Sequence, residues 1–484
     1  MKTATVAIIG GGFCGTLAAI RLLTAARKGG PSLPFGSRIV LIEPARAGRG
    51  LAYRAGPDFW RLNVPADKMS AFAERPADFL QWARARDPEV SSGDFLPRAW
   101  YGDYLSERLA LAQQRSPRWL HFERIRHRAT GLSIDDGKAR IELADGATLE
   151  AERVLLALGN SPSADPVPGI AVGDIVADAW NLSWIEQLPT YVPRVLLVGT
   201  GLTMIDIALA IADARPDTRM LAISRHGLLP RPHEDSVQAG GRARFDARKL
   251  LARGPLSRRL NLFRSHVDSS AADGAWRATL QSVREAMPPL WRSAPEARRA
   301  QFLRHLRSWW DVHRHRAPRE TLSRIEEQRR RKRLQIEAGR LVETRRFDNG
   351  IAVCWRRRGS SKIREDLVDA VVNVTGPDGD ARRSACPLLQ SLLDQGLCQL
   401  DGFGLGWGTD HEGRLLSADG MPSPVIYYAG PLLRAQYWEA TAVPELRGHV
   451  DRTATAIADS LATGAGSYFR KLAAPAFRRE PAIF

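Results

Sequence analysis

Three glycines near the start of the chain have the spacing of a phosphate-binding turn. Gly10, Gly12 and Gly15 follow four apolar residues that predict a buried strand, and a helical period resumes at residue 17. In such a turn the first glycine permits the tight bend, the second lets the backbone approach a pyrophosphate, and the third lets the helix pack closely on the strand. The N–H groups at the start of the helix then face the phosphates. The spacing and its context therefore predict a dinucleotide-binding turn rather than an ordinary glycine-rich one.

An acidic residue lies where the ribose of a bound adenosine is usually held. Residues 38–44 predict a second strand, and Glu43 lies at its end. The interval from the glycines exceeds the usual spacing of about 20 residues, and a loop at residues 28–36 accounts for the excess. A carboxylate at this place accepts hydrogen bonds from ribose hydroxyls. Glu43 therefore completes the first fingerprint, although a glutamate at a strand end can also be simply solvated.

A second glycine turn occurs near the middle of the chain. Residues 194–201 read RVLLVGTG, with Gly199 and Gly201 in the positions that face phosphate and Met204 where a third glycine would stand. The next strand ends before Arg225, so a base replaces the acid of the first site. Because an arginine at this point accommodates a ribose 2′-phosphate, the second turn predicts NADPH. The first turn predicts an adenosine with free ribose hydroxyls.

A polar and aromatic segment follows the first site, at residues 48–72. Backbone without regular structure lies at a surface or in a cleft, where it can meet a ligand. Asn63 is the candidate for chemistry in this segment, because an amide both donates and accepts hydrogen bonds. That property suits the edge of a flavin or nicotinamide ring. The alternative is a turn residue shortly before Pro65.

Length and composition restrict the class of protein. The 484 residues suffice for two or three domains. No apolar run reaches the ~20 residues that span a membrane, and the amino terminus lacks a secretion-signal pattern, so a cytoplasmic location is expected. The four cysteines have no metal-ligand spacing. His313 and His315 are two positions apart on a predicted helix and so face different sides, and no metal site is expected.

The net charge of +17 is concentrated in one segment. Residues 241–340 hold 25 lysines and arginines against 10 aspartates and glutamates. Apolar residues recur there at helical intervals, which predicts a helical insertion over about residues 240–335. Such a segment can bind nucleic acid, recruit an anionic substrate or form a solvated helical surface. The sequence leaves these three interpretations open.

The late part of the chain is expected to complete the first nucleotide domain. Strands are predicted at residues 351–356 and 367–375, and Thr375, Gly376 and Gly430 stand in turns that should close over the first nucleotide. The strand at residues 6–9 should then lie beside segments more than 350 positions later. The predicted domains are residues 1–162 for the first part of one domain, 163–350 for the second domain with its insertion, and 351–484 for the completing part of the first.

Six motifs, spread over nearly the full chain, resemble those of one family: GRGLAY, LNVPADKMSAF, LPRAWYGDYL, FLRHLRSWWDVHRHRAP, NVTGP and GPLLRAQYWEATAVPELR. In these motifs the chain is similar to the bacterial FAD/NAD(P)-binding proteins of the YdhS-like family, which are related to the class B flavin-dependent monooxygenases of the N-hydroxylating type. The resemblance implies an α/β fold with two Rossmann-like domains, in which a discontinuous FAD domain is interrupted by an NADPH domain. The sequence lacks the FxGxxxHxxxW/Y motif of Baeyer–Villiger enzymes, which disfavours a ketone-to-ester oxygenase.

The resemblance also implies a role for individual residues. The FAD adenosine diphosphate is expected to bind to Gly10, Gly12, Gly15 and Glu43. Loops along the flavin should contribute Arg49, Tyr53, Asn63 and Met69, and Asn63 matches the active-site asparagine near the flavin edge. Thr375, Gly376 and Gly430 should close over the FAD. NADPH should bind to Gly199, Gly201, Thr203 and Arg225.

The implied activity is that of a monooxygenase. Hydride from NADPH reduces FAD, oxygen then forms a C4a-hydroperoxide, and one oxygen atom passes to a soft nucleophile, expected to be an amine nitrogen. No nucleophile–base pair is needed, because the cofactor carries the chemistry. The expected partner is a small molecule, either anionic or an amine of the amino-acid type. Two alternatives are an NADPH-dependent flavoprotein reductase or dehydrogenase that transfers no oxygen, and a nucleic-acid-binding flavoprotein that uses the basic insertion.

Overall fold

A computed structural model describes residues 3–25, 33–161, 163, 175–176, 178–233, 246, 256–270 and 276–462. The predicted domain boundary at residue 162, much of residues 240–255 within the predicted insertion, and the last 22 residues of the predicted final segment lie outside these ranges. The strands are β1 Thr5–Ile9, β2 Arg38–Ile42, β3 His121–Ile125, β4 Ala129–Asp135, β5 Lys138–Leu143, β6 Thr148–Ala151, β7 Arg153–Leu156, β8 Ile175–Val176, β9 Arg194–Val198, β10 Arg219–Ser224, β11 Leu334–Phe347, β12 Gly350–Arg357, β13 Ile363–Val368, β14 Ala370–Asn373, β15 Arg414–Leu416 and β16 Pro422–Tyr428.

The described α-helices connect and pack against the three sheets that these strands form. They are α1 Phe13–Ala25, α2 Asp78–Arg86, α3 Arg98–Gln114, α4 Ser183–Glu186, α5 Leu202–Ala214, α6 Leu256–Ser270, α7 Trp276–Ser293, α8 Glu296–His305, α9 Arg307–Arg314, α10 Arg319–Arg330, α11 Pro387–Asp394, α12 Arg434–Tyr437 and α13 Val443–Ala462. Among the described helices, none is long and apolar enough to cross a membrane.

The first sheet has the strand order β15-β16-β7-β1-β2-β3. β1 pairs in parallel with β2 and β7, and its residues Val6, Ala7 and Ile8 are fully buried. The first sheet is contacted both by α1, which packs between α3 and α13, and by strands of the three-stranded sheet β4-β5-β6. β16 pairs with β7 in parallel. A segment from late in the chain is therefore part of the first sheet, but β16 lies one strand away from β1 rather than beside it.

The second sheet has the order β13-β12-β11-β10-β9-β14-β8. Its central strand β9 lies between β10 and β14, and both pairs are parallel. β11 runs parallel to β10 and then continues into an antiparallel ribbon with β12 and β13. Both α/β units thus have the strand–turn–helix arrangement that the two glycine turns predict.

This topology corrects the boundary predicted between residues 350 and 351. β12, β13 and β14 all belong to the second sheet, so the second domain continues to Asn373. The predicted strand at residues 367–375 is the end of β13 followed by β14. A run of buried valines before a glycine fits a central parallel strand of either sheet. The local sequence pattern therefore cannot predict the strand with which β14 pairs.

The helical insertion packs on the late part of the first domain. α7 contacts α12, and a small core forms from Met287 and Trp291 of α7 together with Leu405, Ala435 and Trp438. Trp438 has a left-handed backbone with φ 56° and is 1% exposed. The indole of Trp291 donates to the Ala435 carbonyl at 2.8 Å. The insertion thus bridges from the second domain to the first.

Candidate functional site

The first glycine turn is sterically restricted to glycine at two of its three positions. Gly10 has φ +102°, and a Cβ there would lie 2.3 Å from the Ala157 carbonyl oxygen. A Cβ on Gly15 would lie 1.8 Å from the Gly10 carbonyl oxygen. At Gly12 the nearest atom to such a Cβ is the Gly50 Cα at 3.7 Å, so this position is open. The turn therefore combines two tight contacts with an accessible backbone, the combination that pyrophosphate binding requires.

Glu43 lies beside this turn, at the end of β2. Its Oε2 accepts a hydrogen bond from the Gly11 N–H at 2.7 Å, and its Oε1 accepts one from the Ala45 N–H at 3.0 Å. Gly48 N–H donates to the Gly11 carbonyl at 2.8 Å, which folds the GRGLAY segment against the turn. A half-buried carboxylate thus lies next to the glycines, and its ribose-binding role stays a prediction.

The other residues predicted along the flavin differ in accessibility. Arg49 forms an ion pair with Asp103 at 2.6 Å, and its Nε is buried without a hydrogen-bond partner. The Tyr53 ring meets the Tyr101 ring edge-on at 4.7 Å, and burial raises the pKa of Tyr53. Met69 is 2% exposed and packs in the first core. Arg49 therefore has an unmet donor to offer, whereas Met69 acts as a packing residue in this conformation.

The second glycine turn has the same construction with one difference. Gly199 has φ +120°, and a Cβ there would lie 2.6 Å from the Val374 carbonyl oxygen. A Cβ on Gly201 would meet no atom within 4 Å. Met204, in the place of a third glycine, is fully buried in the core of the second domain. Thr203 is half-buried in the first turn of α5. The two positions that face phosphate are thus retained.

Thr375 and Gly376 lie at the second turn, which corrects their predicted place over the first nucleotide. They follow β14, and the carbonyl before Thr375 is the one that faces Gly199. The equivalent contact in the first domain is made by the Ala157 carbonyl to Gly10. Because both domains place a strand and a glycine turn here, the sequence pattern alone could not assign these residues to the correct sheet.

Gly430 lies at the carboxyl end of β16, in the first domain. A Cβ there would be 2.5 Å from the Tyr428 hydroxyl oxygen, which accepts a hydrogen bond from the Leu432 N–H at 2.9 Å. The strand neighbour β7 leads into Gly159, which has a left-handed backbone and would carry a Cβ with no described atom within 4 Å. The carboxyl edge of the first sheet therefore has the turns of β1, β7 and β16 together.

A cavity of about 1230 Å³ lies where the first domain, the second domain and the insertion meet. Asn63 lines it, as do residues of the insertion that carry charge or an aromatic ring: Arg284, Trp310, His313, Arg314, Arg316 and Glu320. Acidic side chains of the first domain also line it: Asp58, Asp67, Asp87, Glu89 and Asp94. The cavity is large enough for a small molecule, and both signs of charge face it.

His233 fixes the backbone of Asn63 at this cavity. Its Nε2 lies 3.0 Å from the Asn63 carbonyl oxygen. Because a carbonyl only accepts, Nε2 carries the proton and Nδ1 carries the lone pair. Burial, followed by the charges of Arg316 and Lys68, lowers the pKa of His233 to about 4, so the imidazole is neutral near pH 7. No local pattern in the sequence points to His233, since its contact with residue 63 is purely tertiary.

The Asn63 segment is anchored in both domains. The indole N–H of Trp60 donates to the Asp206 carbonyl at 3.1 Å, and the Trp60 side chain packs in the second core. The Arg98 guanidinium pairs with the Asp206 carboxylate at 2.7 Å. Burial raises the pKa of Asp206, and Arg98 opposes that shift. Because Asp206 is on α5, just behind the second glycine turn, this contact links the cavity wall to the second domain.

Arg225 lies directly after β10, as predicted, at the edge of a second cavity of about 440 Å³. His313 lines the large cavity, and His315 is half-buried, with its pKa lowered by desolvation and by neighbouring arginines. Within the described parts of the chain, no group of three or more His, Cys, Asp or Glu residues could hold a metal ion.

Comparisons with known proteins agree with this architecture. A family model described as FAD-NAD(P)-binding matches residues 7–161. No curated protein matches the sequence. Solved structures do match, among them an ornithine hydroxylase from Pseudomonas aeruginosa, with a TM-score of 0.62, 15% identity and coverage of 95% of this chain and 100% of that one. An L-lysine 6-monooxygenase from Pseudomonas syringae matches with a TM-score of 0.60, 17% identity and coverage of 95% of this chain and 99% of that one. An FAD-bound cadaverine monooxygenase from Erwinia amylovora matches with a TM-score of 0.61, 14% identity and coverage of 100% of both chains. At these identities the chain shares the two-domain α/β fold of those proteins.

Proposed function

We propose that this protein is an FAD-dependent, NADPH-consuming monooxygenase that hydroxylates the amine nitrogen of a small molecule. One arrangement carries the proposal: the chain has two dinucleotide turns, the first followed by an acid and the second by a base at the end of the next strand, and the cavity wall at Asn63 is tied to the second domain through Trp60 and His233. The match of residues 7–161 to an FAD-NAD(P)-binding family supports the cofactors. The fold shared with the ornithine hydroxylase and with the lysine and cadaverine monooxygenases supports the reaction.

The residues present fit FAD at the first turn. Gly10 and Gly15 permit a tight turn that a Cβ at either position would block, Gly12 leaves the backbone open, and Arg49 has a buried Nε without a hydrogen-bond partner among the described residues. In our proposal Glu43 holds the ribose, while Tyr53, Met69 and Gly430 shape the surrounding walls. The resemblance to the YdhS-like family supports the same placement.

The residues of the second turn fit NADPH. Gly199 is restricted by the Val374 carbonyl, and Gly201 is open to solvent. We assign Thr203 to the same phosphate-binding turn, and Arg225 to the 2′-phosphate. Thr375 and Gly376 join this site instead of the FAD site, because they follow the strand that lies beside β9.

The chemistry balances with these two cofactors. When bound and reduced, FAD activates molecular oxygen. The amine, oxygen, NADPH and one proton give the hydroxylamine, water and NADP⁺, so a nitrogen–oxygen bond forms and NADPH supplies the two electrons that reduce the second oxygen atom to water. The protein contributes orientation, electrostatics and exclusion of water.

Asn63 and His233 are the groups that we expect to meet the amine. The amine attacks through its nitrogen lone pair, so it must be bound in the unprotonated form. The His233 Nδ1 lone pair can accept an N–H of the amine, because Nε2–H is already donated to the Asn63 carbonyl. The Asn63 amide can donate or accept beside it. Hydrogen bonds of this kind orient the nitrogen without a strong base.

A coupled assay tests the function. Purified holoenzyme is supplied with NADPH and oxygen, and with L-ornithine, L-lysine, cadaverine and further small amines in turn, while NADPH oxidation, hydrogen peroxide and hydroxylated product are measured. We expect one class of amine to raise NADPH oxidation with matching product. Electron transfer to an artificial acceptor with no oxygenated product from any amine would favour the reductase. A salt-dependent shift with RNA or DNA, and no turnover with amines, would favour the nucleic-acid-binding alternative.

A further inference from the structure

The cavity beside Arg225 is lined by an unusual concentration of positive charge. It has a volume of about 440 Å³, and six arginines face it together with two histidines. Glycine and serine complete the lining, and no described Asp or Glu contributes to it. The arginines are Arg225, Arg304, Arg340, Arg356, Arg357 and Arg358. A pocket of this composition repels cations and concentrates anions.

These arginines come from three separate parts of the fold. Arg225 follows β10, and Arg304 belongs to α8 of the insertion. The others lie on the β11–β12 ribbon, where Arg340 is the register partner of Arg356. The ribbon starts where β11 leaves its pairing with β10, so these side chains lie at the carboxyl edge of the second sheet. That edge is where a dinucleotide binds in a doubly wound sheet.

The insertion is held against this edge by direct contacts. The Trp309 ring lies 6.2 Å from the His226 ring. The Arg231 N–H donates to the Val312 carbonyl at 2.9 Å, and the Ala317 N–H donates to the Arg231 carbonyl at 3.0 Å. Arg231, in the segment after β10, is thus hydrogen-bonded to the insertion at both residue 312 and residue 317. Arg304 is therefore part of a fixed arrangement with Arg225.

The positive charge in the cavity is largely uncompensated. Arg357 pairs with Glu337 at 3.1 Å. Among the described residues, Arg225, Arg304, Arg340 and Arg356 have no ion pair with a carboxylate. Burial, followed by the charges of Arg307 and Arg340, lowers the pKa of Arg225. Such mutual repulsion is relieved when a multiply charged anion binds between the guanidinium groups.

We propose that Arg304 and Arg340 bind the 2′-phosphate of NADPH together with Arg225, so that the helical insertion forms part of the nicotinamide cofactor site. The inference rests on the proposed use of NADPH and adds the residues that select it. Phosphate is the fitting ligand because a dianion on one oxygen-rich centre can accept from several guanidinium groups at once. The turn that follows β10 supplies only one of these guanidinium groups, that of Arg225. The insertion and the ribbon supply the others.

Calorimetric titration of the oxidised holoenzyme tests this assignment without any turnover. NADP⁺, NAD⁺ and inorganic phosphate are titrated separately into the wild type and into R304A and R340A. Arg298→Ala serves as the control, because Arg298 is on the same helix as Arg304 but outside the cavity. We expect R304A and R340A each to weaken NADP⁺ about 10- to 100-fold, the effect of losing one charged hydrogen bond. NAD⁺ binding should change by less than about 2-fold in every variant, and R304K should recover part of the loss.

Three results would overturn the inference. Equal losses for NADP⁺ and NAD⁺ would mean that the arginines act on the fold or on the shared part of the dinucleotide. An unchanged NADP⁺ affinity in both variants would remove them from the site. Loss of inorganic phosphate binding alone would identify an anion site separate from the cofactor. FAD content and thermal unfolding identify a variant that fails to fold, and R304K then provides the test. Since the titration uses neither amine nor oxygen, its result can be interpreted even if the protein does not catalyse the proposed hydroxylation.

Discussion

The two glycine turns form the same kind of tight bend with different sequences, and in our proposal this difference separates their ligands. In the first turn Gly15 lets α1 approach the Gly10 carbonyl, and Glu43 lies at the end of β2. In the second turn Met204 replaces the third glycine, and Arg225 follows β10. The common part, a glycine facing a carbonyl from a neighbouring parallel strand, fixes the bend. We propose that the variable part, an acid or a base at the end of the next strand, selects between a ribose with free hydroxyls and one with a 2′-phosphate.

The largest effect should come from Gly15, because the third position of the turn is occupied by glycine only in the first site. Gly15→Ala places a Cβ 1.8 Å from the Gly10 carbonyl oxygen, which only a backbone shift can relieve. We expect a loss of about 4 kcal/mol or more in the free energy of unfolding and a protein purified with little FAD. The measurements are the urea unfolding curve and the flavin absorbance per chain.

Gly201→Ala is the contrasting change in the second turn, at the open position that corresponds to Gly12. No atom lies within 4 Å of its Cβ position, so the unfolding curve and FAD content should stay near those of the wild type, while NADP⁺ binds more weakly because the backbone is less accessible. If Gly201→Ala destabilises the fold as much as Gly15→Ala, Gly201 is not at an open position.

The next largest effect should come from the ion pair between Arg98 and Asp206, which links the two domains. Arg98→Ala leaves the Asp206 carboxylate, 6% exposed, without its partner at 2.7 Å. Removal of one member of a buried pair costs about 3 kcal/mol, and we expect a loss of that order in the unfolding free energy. Adding Asp206→Asn to Arg98→Ala should recover part of it, since the uncompensated charge is then gone. A double variant that unfolds no later than the single one would contradict a role for this charge.

Local sequence patterns predict the two turns but not the way in which the domains pack. Both turns, the strand before each and the helix after each follow from such patterns, and the structure confirms them. The pattern places β14 in the first domain, which is wrong, because a buried valine run before a glycine fits either sheet. The cavity at Asn63 depends on how the insertion packs on α12, and no local pattern encodes that contact. Met69 matches a flavin loop by motif, yet its side chain fills the core.

A smaller effect, on the binding of NADPH but not of NADH, tests the proposed role of Arg225. Arg225→Ala should weaken NADPH about 10- to 100-fold, as expected for a lost charged hydrogen bond, and leave NADH nearly unchanged. The measurement is the concentration dependence of flavin reduction by each nucleotide under anaerobic conditions. Glu43→Gln, at the acidic end of the first site, is the control and should leave the NADPH to NADH ratio as it is. Equal losses for both nucleotides would refute the 2′-phosphate role of Arg225.

The smallest effect should come from the residue between the two sites. His233→Ala removes the donor to the Asn63 carbonyl and the Nδ1 acceptor. We expect NADPH oxidation to continue, with hydroxylated product per NADPH reduced about 3- to 10-fold, an effect of one neutral hydrogen bond, and hydrogen peroxide raised to match. His233→Gln, which can still donate to the carbonyl, should recover part of the coupling. A variant with wild-type coupling would remove His233 from the site.

The pH dependence of this coupling has a defined sign. Folding lowers the pKa of His233 from its usual 6.5 to about 4, so the unfolded chain binds the proton more readily between these values. The contribution of neutral His233 to stability is therefore complete above pH ~6.5 and is lost as the pH falls through about 4. Because Nδ1 accepts only while the ring is neutral, the product formed per NADPH should be level from about pH 6 to 8 and fall below about pH 5. A fall centred near pH ~6.5 would instead indicate a solvated imidazole and would separate His233 from the buried contact with Asn63.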